Sequence, residues 1–373
     1  MKALFLIFHG LSPTNGISKK IQAQVKALNE CGVETALCHY GVEKNGSRVW
    51  KCDEQVIVNL GKGFIAKLKK RFYLRPLLRY IINNQISFIY IRSDHNANPF
   101  TISFIRSLRQ HGIKVLMEIP TYPYDQEYIT FESKCHLLID KLFRSKLASF
   151  LNAIITFSNQ KEIFGQRTIQ ISNGIDFDSI PLKRGKEVSK NEIHLIGVAE
   201  IHYWHGYDRL IAGMVNYYQS FKDGQKKIVF HLVGNFSGER EREEILPLIE
   251  VNHLNDYVIL HGALHGNDLT RLFDMADIGI GSLARHRSHI THIKTLKNRE
   301  YAARGIPFIY SEIDEDFEMM PYVIKAPADE TPIDIDALID FYNNQNWTSE
   351  KIRKSIDSLS WTNQMQTVID NIN

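Results

Sequence analysis

The sequence is poor in cysteine and has no long hydrophobic run, and each shortage excludes a class of protein. The cysteines are Cys31, Cys38, Cys52 and Cys135. They show neither the paired spacing of a zinc site nor the density of a disulfide-stabilised secreted domain, so we expect reduced thiols in a cytoplasmic protein. No stretch reaches the ~18 apolar residues of a membrane-spanning helix. The apolar segment 3–8 is too short for a signal peptide and favours a buried strand.

Common motifs for phosphates and metals are also missing. The turn 10–18 follows a predicted strand and opens a helix, but it is neither a Walker loop nor Gly-x-Gly-x-x-Gly. Its Gly16 lets the backbone approach a phosphate or a sugar, although a tight turn capped by Ser18 explains the sequence equally well. The histidines of segment 286–292 belong to no His-Glu-x-x-His array, so we expect no metal and no cofactor.

Length and charge indicate two domains with different surfaces. A chain of 373 residues is too long for one ordinary core, and 44% hydrophobic with 23% charged residues is typical of a soluble globular protein. The net charge of +3 hides an asymmetry. Residues 1–178 carry 24 Lys and Arg against 14 Asp and Glu, whereas the remainder carries 21 against 28. We therefore expect the first half to face an anionic partner.

Part of the basic excess lies in segment 62–75, where six basic residues alternate with apolar ones. One interpretation is a helix of segment 62–79 that lies on an anionic membrane. The other is an ordinary surface helix whose apolar face joins the core. No motif of a nucleic-acid-binding module accompanies the segment, so we expect no nucleic-acid partner.

Short apolar runs alternate with helical patterns along the whole chain. The predicted strands are 3–8, 33–38, 56–58, 88–91, 115–117, 153–157, 193–198, 228–233, 258–260, 278–280 and 307–310. The predicted helices are 17–30, 206–219, 240–251, 266–275, 297–304 and 349–372. Strands separated by helices of this length pair in parallel with right-handed crossovers. We predict an α/β chain of two doubly wound domains, 1–180 and 181–350, joined by the polar linker 181–190.

Groups that suit a nucleotide are concentrated in two segments of the second half. Segment 199–209 lies between a predicted strand and helix, which places His202, Trp204 and His205 at a strand end. There the histidines can donate to a diphosphate and the indole can pack beside the ligand. Segment 285–300 combines several cations with Glu300. Cations neutralise phosphates, and a carboxylate accepts hydrogen bonds from both hydroxyls of a ribose.

Three motifs resemble those of the retaining glycosyltransferases of family 4. The sequence Asn-Gly-Ile-Asp at 173–176 is similar to the family's Asn-Gly-Val-Asp hinge, and 261–278 resembles the stretch before the donor site. The sequence Glu-Tyr-Ala-Ala-Arg-Gly-Ile-Pro-Phe-Ile at 300–309 resembles Glu-x-Met-Ala-x-Gly-x-Pro-Val-Ile. The resemblance implies the GT-B fold, with two Rossmann-like domains facing a central crevice. It also implies a C-terminal helix, 351–373, that packs back on the first domain.

The sequence departs from the family's pattern at two places. The first carboxylate of the Glu-x7-Glu pair falls at His292. The arginine and lysine that grip the diphosphate fall at Glu200 and His205, so Lys297 and neighbouring cations are expected to supply the missing charge. These changes resemble a subgroup with Trp-His-Gly-Tyr-Asp-Arg and Leu-Lys-x-Arg-Glu-Tyr. Donor binding becomes pH-sensitive if His205 must be protonated.

The resemblance assigns residues to three roles. The expected catalytic residues are Gly16, His205, Lys297 and Glu300. The expected donor-binding residues are Gly16, Glu200, His202, Trp204, His205, Asn235, Arg285, His292, Lys294, Thr295, Leu296, Lys297 and Glu300. The expected acceptor-side residues are Arg92, Asp94, Glu118 and Tyr122. A structural hydrogen bond to loop amides explains Glu118 equally well.

The implied reaction moves a glycosyl unit, with retention and without a metal, from a UDP- or GDP-linked sugar to a hydroxyl of a glycan or lipid-linked acceptor. Surface polysaccharide synthesis at the inner face of the membrane is the expected setting. The fold offers no obvious nucleophile, so front-face displacement is expected, with the leaving diphosphate helping to deprotonate the acceptor. Two alternatives are left open: a non-hydrolysing nucleotide-sugar epimerase and a non-catalytic carbohydrate-binding descendant.

Overall fold

The computed structural model describes residues 1–12, 15–94, 97–125, 128, 131–185 and 191–372. The chain divides into two compact units. Unit 1 comprises Met1–Gly174 with Trp361–Asn373, and unit 2 comprises Ile175–Ser360. Part of the predicted linker, 186–190, lies outside the described residues. No helix among the described residues is long and apolar enough to cross a membrane.

Unit 1 is built on one sheet of order β4-β3-β2-β1-β5-β6-β7-β9-β8. Its strands are β1 (Lys2–Ile7), β2 (Glu34–Val42), β3 (Arg48–Cys52), β4 (Gln55–Gly61), β5 (Phe88–Arg92), β6 (Lys114–Ile119), β7 (Ala153–Thr156), β8 (Glu162–Ile163) and β9 (Gln166–Gln170). The central strands β1, β5, β6 and β7 are parallel and mostly apolar because helices cover both faces of the sheet. The strand order reverses between β1 and β5, which pair directly.

The helices of unit 1 pack on both faces of this sheet. They are α1 (Gly16–Glu30), α2 (Gly63–Phe72), α3 (Arg75–Asn83), α4 (Pro99–Gln110), α5 (Phe131–Ala148) and α12 (Trp361–Asp370). The last helix packs on α1, and its Trp361 covers Gly174 so closely that a Cβ there would lie 2.4 Å from the indole. Glycine is therefore required at 174, in the sequence that resembles the family's hinge.

The edge of this sheet differs from the parallel pairing that the sequence predicted. Strand β3 was not predicted, and it pairs antiparallel with both β2 and β4. Gly46, at φ 79°, closes the tight turn between β2 and β3. Because a parallel pair needs a crossover of a dozen or more residues, connections this short can join only antiparallel strands.

Unit 2 has one fully parallel sheet of order β12-β11-β10-β13-β14-β15. Its strands are β10 (Glu192–Val198), β11 (Lys227–Val233), β12 (Val258–Gly262), β13 (Ile278–Ile280), β14 (Phe308–Tyr310) and β15 (Val323–Lys325). Its helices are α6 (Tyr207–Gln219), α7 (Glu239–Val251), α8 (Gly266–Met275), α9 (Leu296–Arg304), α10 (Ile335–Asn343) and α11 (Ser349–Ser355). The order reverses between β10 and β13, and open α/β sheets bind ligands at the carboxyl ends of strands beside such a reversal.

The single helix predicted at 349–372 is wrong. Helix α11 ends at Ser355, a short 3-10 turn spans 357–359, and α12 starts at Trp361. The residues of α11 that are buried join the core of unit 2, whereas those of α12 join the core of unit 1. One straight helix cannot bury the apolar residues of 349–355 in one core and those of 361–370 in another. The chain therefore bends between α11 and α12.

Candidate functional site

The loop after β10 packs tightly against the loop after β13. Residues 203–205 form a 3-10 turn that ends at Gly206, whose φ is 65°. A Cβ on Gly206 would lie 2.8 Å from the Cβ of Ala284, and the amide of Leu283 donates to the carbonyl of His205 at 2.9 Å. The glycine of the Trp-His-Gly motif thus brings together the two loops that flank the strand reversal.

Two charged residues of the same motif also link the loop after β10 to the loop after β13. Asp208 accepts hydrogen bonds from both terminal nitrogens of Arg287, at 3.0 and 2.7 Å. The guanidinium of Arg209 is buried and donates to the carbonyls of Leu283, Thr331 and Pro327. These side chains stabilise the two loops. Their charged groups are already hydrogen-bonded within the protein.

Lys297 and His205 both contact Tyr207. The Nζ of Lys297 donates to the hydroxyl of Tyr207 at 3.3 Å, and the His205 ring stacks on the tyrosine with a centroid distance of 5.5 Å. Burial, reinforced by the charge of Arg285, lowers the pKa of Lys297 to about 7, although Glu312 acts in the opposite direction. Lys297 forms no ion pair with any residue that the structure describes.

His205 is a neutral ring at physiological pH. Burial, followed by the charges of Lys297 and Arg285, holds the pKa of His205 well below its usual value. Its Nδ1 accepts a hydrogen bond from the amide of His202 at 3.0 Å. His205 therefore offers hydrogen bonding at this position, and the positive charge comes from Lys297 and Arg285.

Trp204 contacts an imidazole and a guanidinium. The ring of His202 stacks on it at 4.2 Å, and the guanidinium of Arg285 lies 5.3 Å from its centroid. Glu200 and Asn235 are exposed at the ends of the neighbouring strands β10 and β11. The carbonyl of Asn235 accepts from the amide of Ile201 at 2.8 Å. All these residues are at the carboxyl edge of the sheet of unit 2.

The segment before α9 contributes less charge than its sequence indicates. The Nζ of Lys294 lies 3.9 Å from a carboxylate oxygen of Asp316. His292 and Leu296 are exposed, and the imidazole of His292 contacts the hydroxyl of Thr291 at 3.1 Å. Thr295 precedes the first residue of α9, but its buried hydroxyl has no hydrogen-bond partner in the structure.

Glu300 is accessible on α9, one turn after Lys297. Arg304 donates to its Oε1 from Nε and Nη2, at 3.1 and 2.9 Å. The same guanidinium lies 3.9 Å from the ring centroid of Phe273, which fixes the pair against the core. The side chain of Glu300 stays 32% exposed, so a ligand can reach its carboxylate.

Sequence reasoning missed three buried polar residues around α9. Arg299 is buried and pairs with Asp314 at 2.7 and 3.1 Å, which ties α9 to the connection after β14. Glu312 is only 2% exposed in the same connection, and burial raises its pKa to about 7, with Arg285 and Lys297 acting in the opposite direction. A single acid after a strand gives no periodic signal from which burial could be predicted.

In unit 1, four of the expected side chains lie near the ends of β5 and β6. Glu118 is completely buried and accepts from Gln24 at 2.7 Å and from Tyr90 at 2.6 Å. Arg92 donates to its other oxygen, and Lys20 lies 3.3 Å away. Burial raises the pKa of Glu118, but the cations and hydrogen bonds outweigh it and lower the value to about 2. The carboxylate is thus an ionised, internally paired group.

The remaining residues expected in unit 1 are more accessible. Asp94 is partly exposed and lies 3.3 Å from Nη2 of Arg71 and 3.7 Å from Nζ of Lys70, both on α2. Tyr122 packs edge-on against Tyr124 and Phe164. Gly16 is the exposed first residue of α1, whose N-terminus is capped by the side chain of Asn15. Among the described residues no group of three or more His, Cys, Asp or Glu could hold a metal ion.

Comparison with known proteins shows the fold of the chain. No model of a protein family and no curated protein sequence matches it. The sucrose-phosphate synthase of Thermosynechococcus elongatus matches 100% of this chain and 99% of its own, with a TM-score of 0.67 and 14% identity. The catalytic domain of starch synthase IV from Arabidopsis thaliana, bound to ADP and acarbose, matches 99% of this chain and 98% of its own, with a TM-score of 0.65 and 13% identity.

A third match is Anabaena HepE in complex with UDP, which covers 100% of this chain and 99% of that one, with a TM-score of 0.62 and 14% identity. At these identities the likeness shows the fold alone. The chain has the GT-B fold, with two parallel-sheet domains, as the sequence predicted. Membership of family 4 and the roles of the individual residues stay predictions.

Proposed function

We propose that the chain is a retaining glycosyltransferase of family 4 type. It takes a sugar from a nucleoside diphosphate, UDP- or GDP-linked, and transfers it to a hydroxyl of a glycan or lipid-linked acceptor in surface polysaccharide synthesis. The observation that carries the proposal is the cationic end of the unit 2 sheet, where Lys297 and Arg285 lie beside the strand reversal. Two of the similar solved structures are complexes with UDP or ADP, which supports a nucleotide as the ligand of this chain.

The diphosphate is assigned to Lys297 and Arg285. Among the described residues Lys297 has no carboxylate within ion-pair distance, and a partly buried cation without a close counter-ion is costly unless an anion binds. The neutral imidazoles of His202 and His205 add hydrogen-bond donors. Because these cations neutralise the phosphates, the proposed reaction needs no metal ion.

The nucleoside is assigned to α9. Glu300 is exposed one helical turn after Lys297, so a ribose can reach its carboxylate while the diphosphate lies at Lys297. Arg304 already orients Oε1, which prepares the carboxylate to accept hydrogen bonds from two vicinal hydroxyls. Trp204, which contacts His202 and Arg285, places an aromatic ring beside these cations.

The proposed chemistry is a front-face displacement. The acceptor oxygen forms a bond to the anomeric carbon, the bond from that carbon to the diphosphate oxygen breaks, and the diphosphate takes the acceptor's proton. Lys297 and Arg285 stabilise the charge that develops on the departing diphosphate, and a preorganised cation is worth most for this purpose in a buried site. Gly16 and the acceptor-side residues Arg92, Asp94, Glu118 and Tyr122 belong to unit 1, and their roles stay predictions.

An anionic membrane is the proposed location, through segment 62–79. On α2, Ala66 is buried, whereas Phe64, Ile65 and Leu68 are 71%, 68% and 44% exposed. The apolar face therefore points to solvent, flanked by the exposed Lys62 and Lys67. An exposed apolar face with basic flanks is the pattern of helices that lie on anionic lipid surfaces.

Vesicle sedimentation tests this location. We expect wild-type protein to sediment with vesicles that contain phosphatidylglycerol and to stay in solution with pure phosphatidylcholine. The double change Phe64→Ser with Ile65→Ser should abolish sedimentation, whereas Val251→Ser, at an exposed apolar residue of unit 2, should leave it unchanged. Equal sedimentation of all three proteins would rule out α2 as the anchor.

A ligand screen tests the proposed reaction. Melting temperatures should rise with one family among UDP-, GDP- and ADP-sugars, because a ligand that binds only the folded state stabilises it by mass action. Incubation of that donor with acceptor glycans should then give a glycoside and a nucleoside diphosphate. A donor changed to its epimer without any acceptor would indicate an epimerase, and binding without turnover would indicate a non-catalytic protein.

A further inference from the structure

Four buried polar atoms around the start of α9 have no hydrogen-bond partner among the residues that the structure describes. They are Ser282 Oγ, Thr295 Oγ1, Asn298 Oδ1 and Glu312 Oε2. Each side chain is more than nine-tenths buried, and a buried polar atom left unpaired costs about 1–3 kcal/mol. Such atoms are rare in folded proteins, and a group of them at one place indicates a ligand or ordered water. We call these four residues the buried polar cluster.

The members of this cluster are neighbours at the carboxyl edge of the unit 2 sheet. Asn298 Nδ2 lies 3.5 Å from Oε1 of Glu312, and a Cβ on Gly281 would lie 2.9 Å from Oδ1 of Asn298. Ser282 follows Gly281, and its carbonyl accepts from the amide of Ser311 at 2.9 Å. The side chains of Asn298 and Glu312 therefore lie close together, and Glu312 lies within reach of the charge of Lys297. Thr295 precedes the first turn of α9, and Ser282 follows the end of β13.

The chemistry of the cluster excludes a cation. Lys297 and Arg285 are close enough to Glu312 that their positive charges act on its carboxyl group. A metal ion would have to bind beside both cations, with a single carboxyl group to offset the repulsion.

The same chemistry excludes an anion within the cluster. Glu312 repels a phosphate when it is ionised, and the buried Asp314 follows two residues later. A carboxyl, an amide oxygen and two hydroxyls instead match a neutral ligand with several hydroxyl groups, since each can donate to or accept from an alcohol. The ligand class is thus a polyhydroxylated ring.

We propose that the buried polar cluster binds the hydroxyls of the sugar that is transferred, with Glu312 as the residue that selects it. The inference rests on the proposed function, because the diphosphate at Lys297 is what brings a sugar to this place. Glu312 then supplies the carboxyl group that the sequence lacks at His292, where an exposed imidazole stands. Burial raises the pKa of Glu312 to about 7, so its carboxyl can both donate and accept near neutral pH.

Titration calorimetry with paired ligands tests the proposal. UDP is compared with UDP-glucose, and GDP with GDP-mannose, on the wild type and on Glu312→Gln and Ser282→Ala. The titrations are made at pH 6.5, where most of the Glu312 carboxyl is protonated and, like Gln, uncharged. We expect each variant to raise the Kd of the sugar nucleotide on the order of tenfold, as for the loss of a hydrogen bond in a buried site, and to leave the Kd of the free diphosphate within about twofold. Glu315→Gln, at an exposed acid of the same connection, should change neither.

Ser282→Ala and Glu312→Gln are both expected to fold. Ser282 Oγ has no hydrogen-bond partner in the described part of the chain, so removing it breaks no bond seen there. Gln has nearly the shape of a protonated Glu. Equal Kd values in wild type and variants, as expected if only water fills the cluster, would overturn the inference. An equal rise for diphosphate and sugar nucleotide would also overturn it. A wild type that binds none of the four ligands would overturn the proposed function itself, together with this inference.

Discussion

The Nζ of Lys297 lies 3.3 Å from the hydroxyl of Tyr207, and this contact joins two sequence motifs that are 90 residues apart. Tyr207 belongs to the Trp-His-Gly-Tyr-Asp-Arg sequence and Lys297 to Leu-Lys-x-Arg-Glu-Tyr. Among the described residues the fully buried phenol is the hydrogen-bond partner of the lysine, and this neutral group positions the amine without neutralising it. The two motifs therefore contribute to one site.

Lys297→Met should weaken binding of the donor diphosphate at least tenfold, because it removes a charge-assisted contact from a buried site. Isothermal titration with UDP and GDP at pH 6.5 measures the loss. Lys351→Met, at an exposed lysine on α11, is the matched control and should bind normally. An unchanged Kd in Lys297→Met would remove this residue from the donor site.

Lys297→Met also tests how the affinity for the diphosphate depends on pH. The pKa of Lys297 is about 7, so above pH 7 the free protein carries a neutral amine that must take up a proton when it binds a diphosphate. Affinity should begin to fall between pH 6 and 7, because half of the amine is already neutral at pH 7, and it should fall further as pH rises to 9. Glu312 loses its proton in the same interval and acts in the same direction, while Arg285 stays charged and His205 stays neutral. Lys297→Met should show a smaller fall, and an identical profile would contradict the assignment.

Glu300→Ala should abolish recognition of the donor's ribose. Wild-type protein should bind UDP more tightly than 2′,3′-dideoxy-UDP, because only the former can donate two hydroxyls to the carboxylate. The variant should bind both equally. Because Glu300 is partly exposed and pairs with Arg304, a modest drop in melting temperature is expected and is measured separately. Continued discrimination between the two nucleotides in the variant would show that another residue holds the ribose.

The sequence predicts the parallel core of this fold but not its polar interior. The strands β1, β5, β10 and β11 follow from their continuous apolar runs, whereas β3 is short, contains Lys51 and depends on a turn at Gly46. The positions of the donor-site segments follow from strand ends. The environment of Lys297 cannot be predicted in this way, because Tyr207 and Glu312 determine it and no local sequence pattern links them to the lysine.

Arg299→Met should destabilise unit 2 by about 3–5 kcal/mol, the usual cost of removing one partner from a buried ion pair. The change leaves Asp314 fully buried without its guanidinium. Urea unfolding followed by tryptophan fluorescence measures the loss. The double change Arg299→Met with Asp314→Asn should recover part of it. Arg271→Met, which removes an exposed pair with Asp268, should cost less than about 1 kcal/mol, and an equal cost in both would contradict the role of Arg299.

Glu118→Gln should destabilise unit 1 in a manner that depends on pH. The Glu118 carboxylate has a pKa of about 2 in the folded protein against 4.5 ordinarily, so its stabilisation is fully present above pH 4.5 and is lost as pH falls towards 2. Gln cannot balance Lys20 and Arg92, so the variant should be less stable by several kcal/mol at pH 7, on the order of the buried-pair cost. The difference should shrink at pH 3, whereas Glu34→Gln, at an exposed acid of unit 1, should show almost none at either pH. A constant difference between pH 7 and pH 3 would mean that Glu118 is not the ionised centre of this cluster.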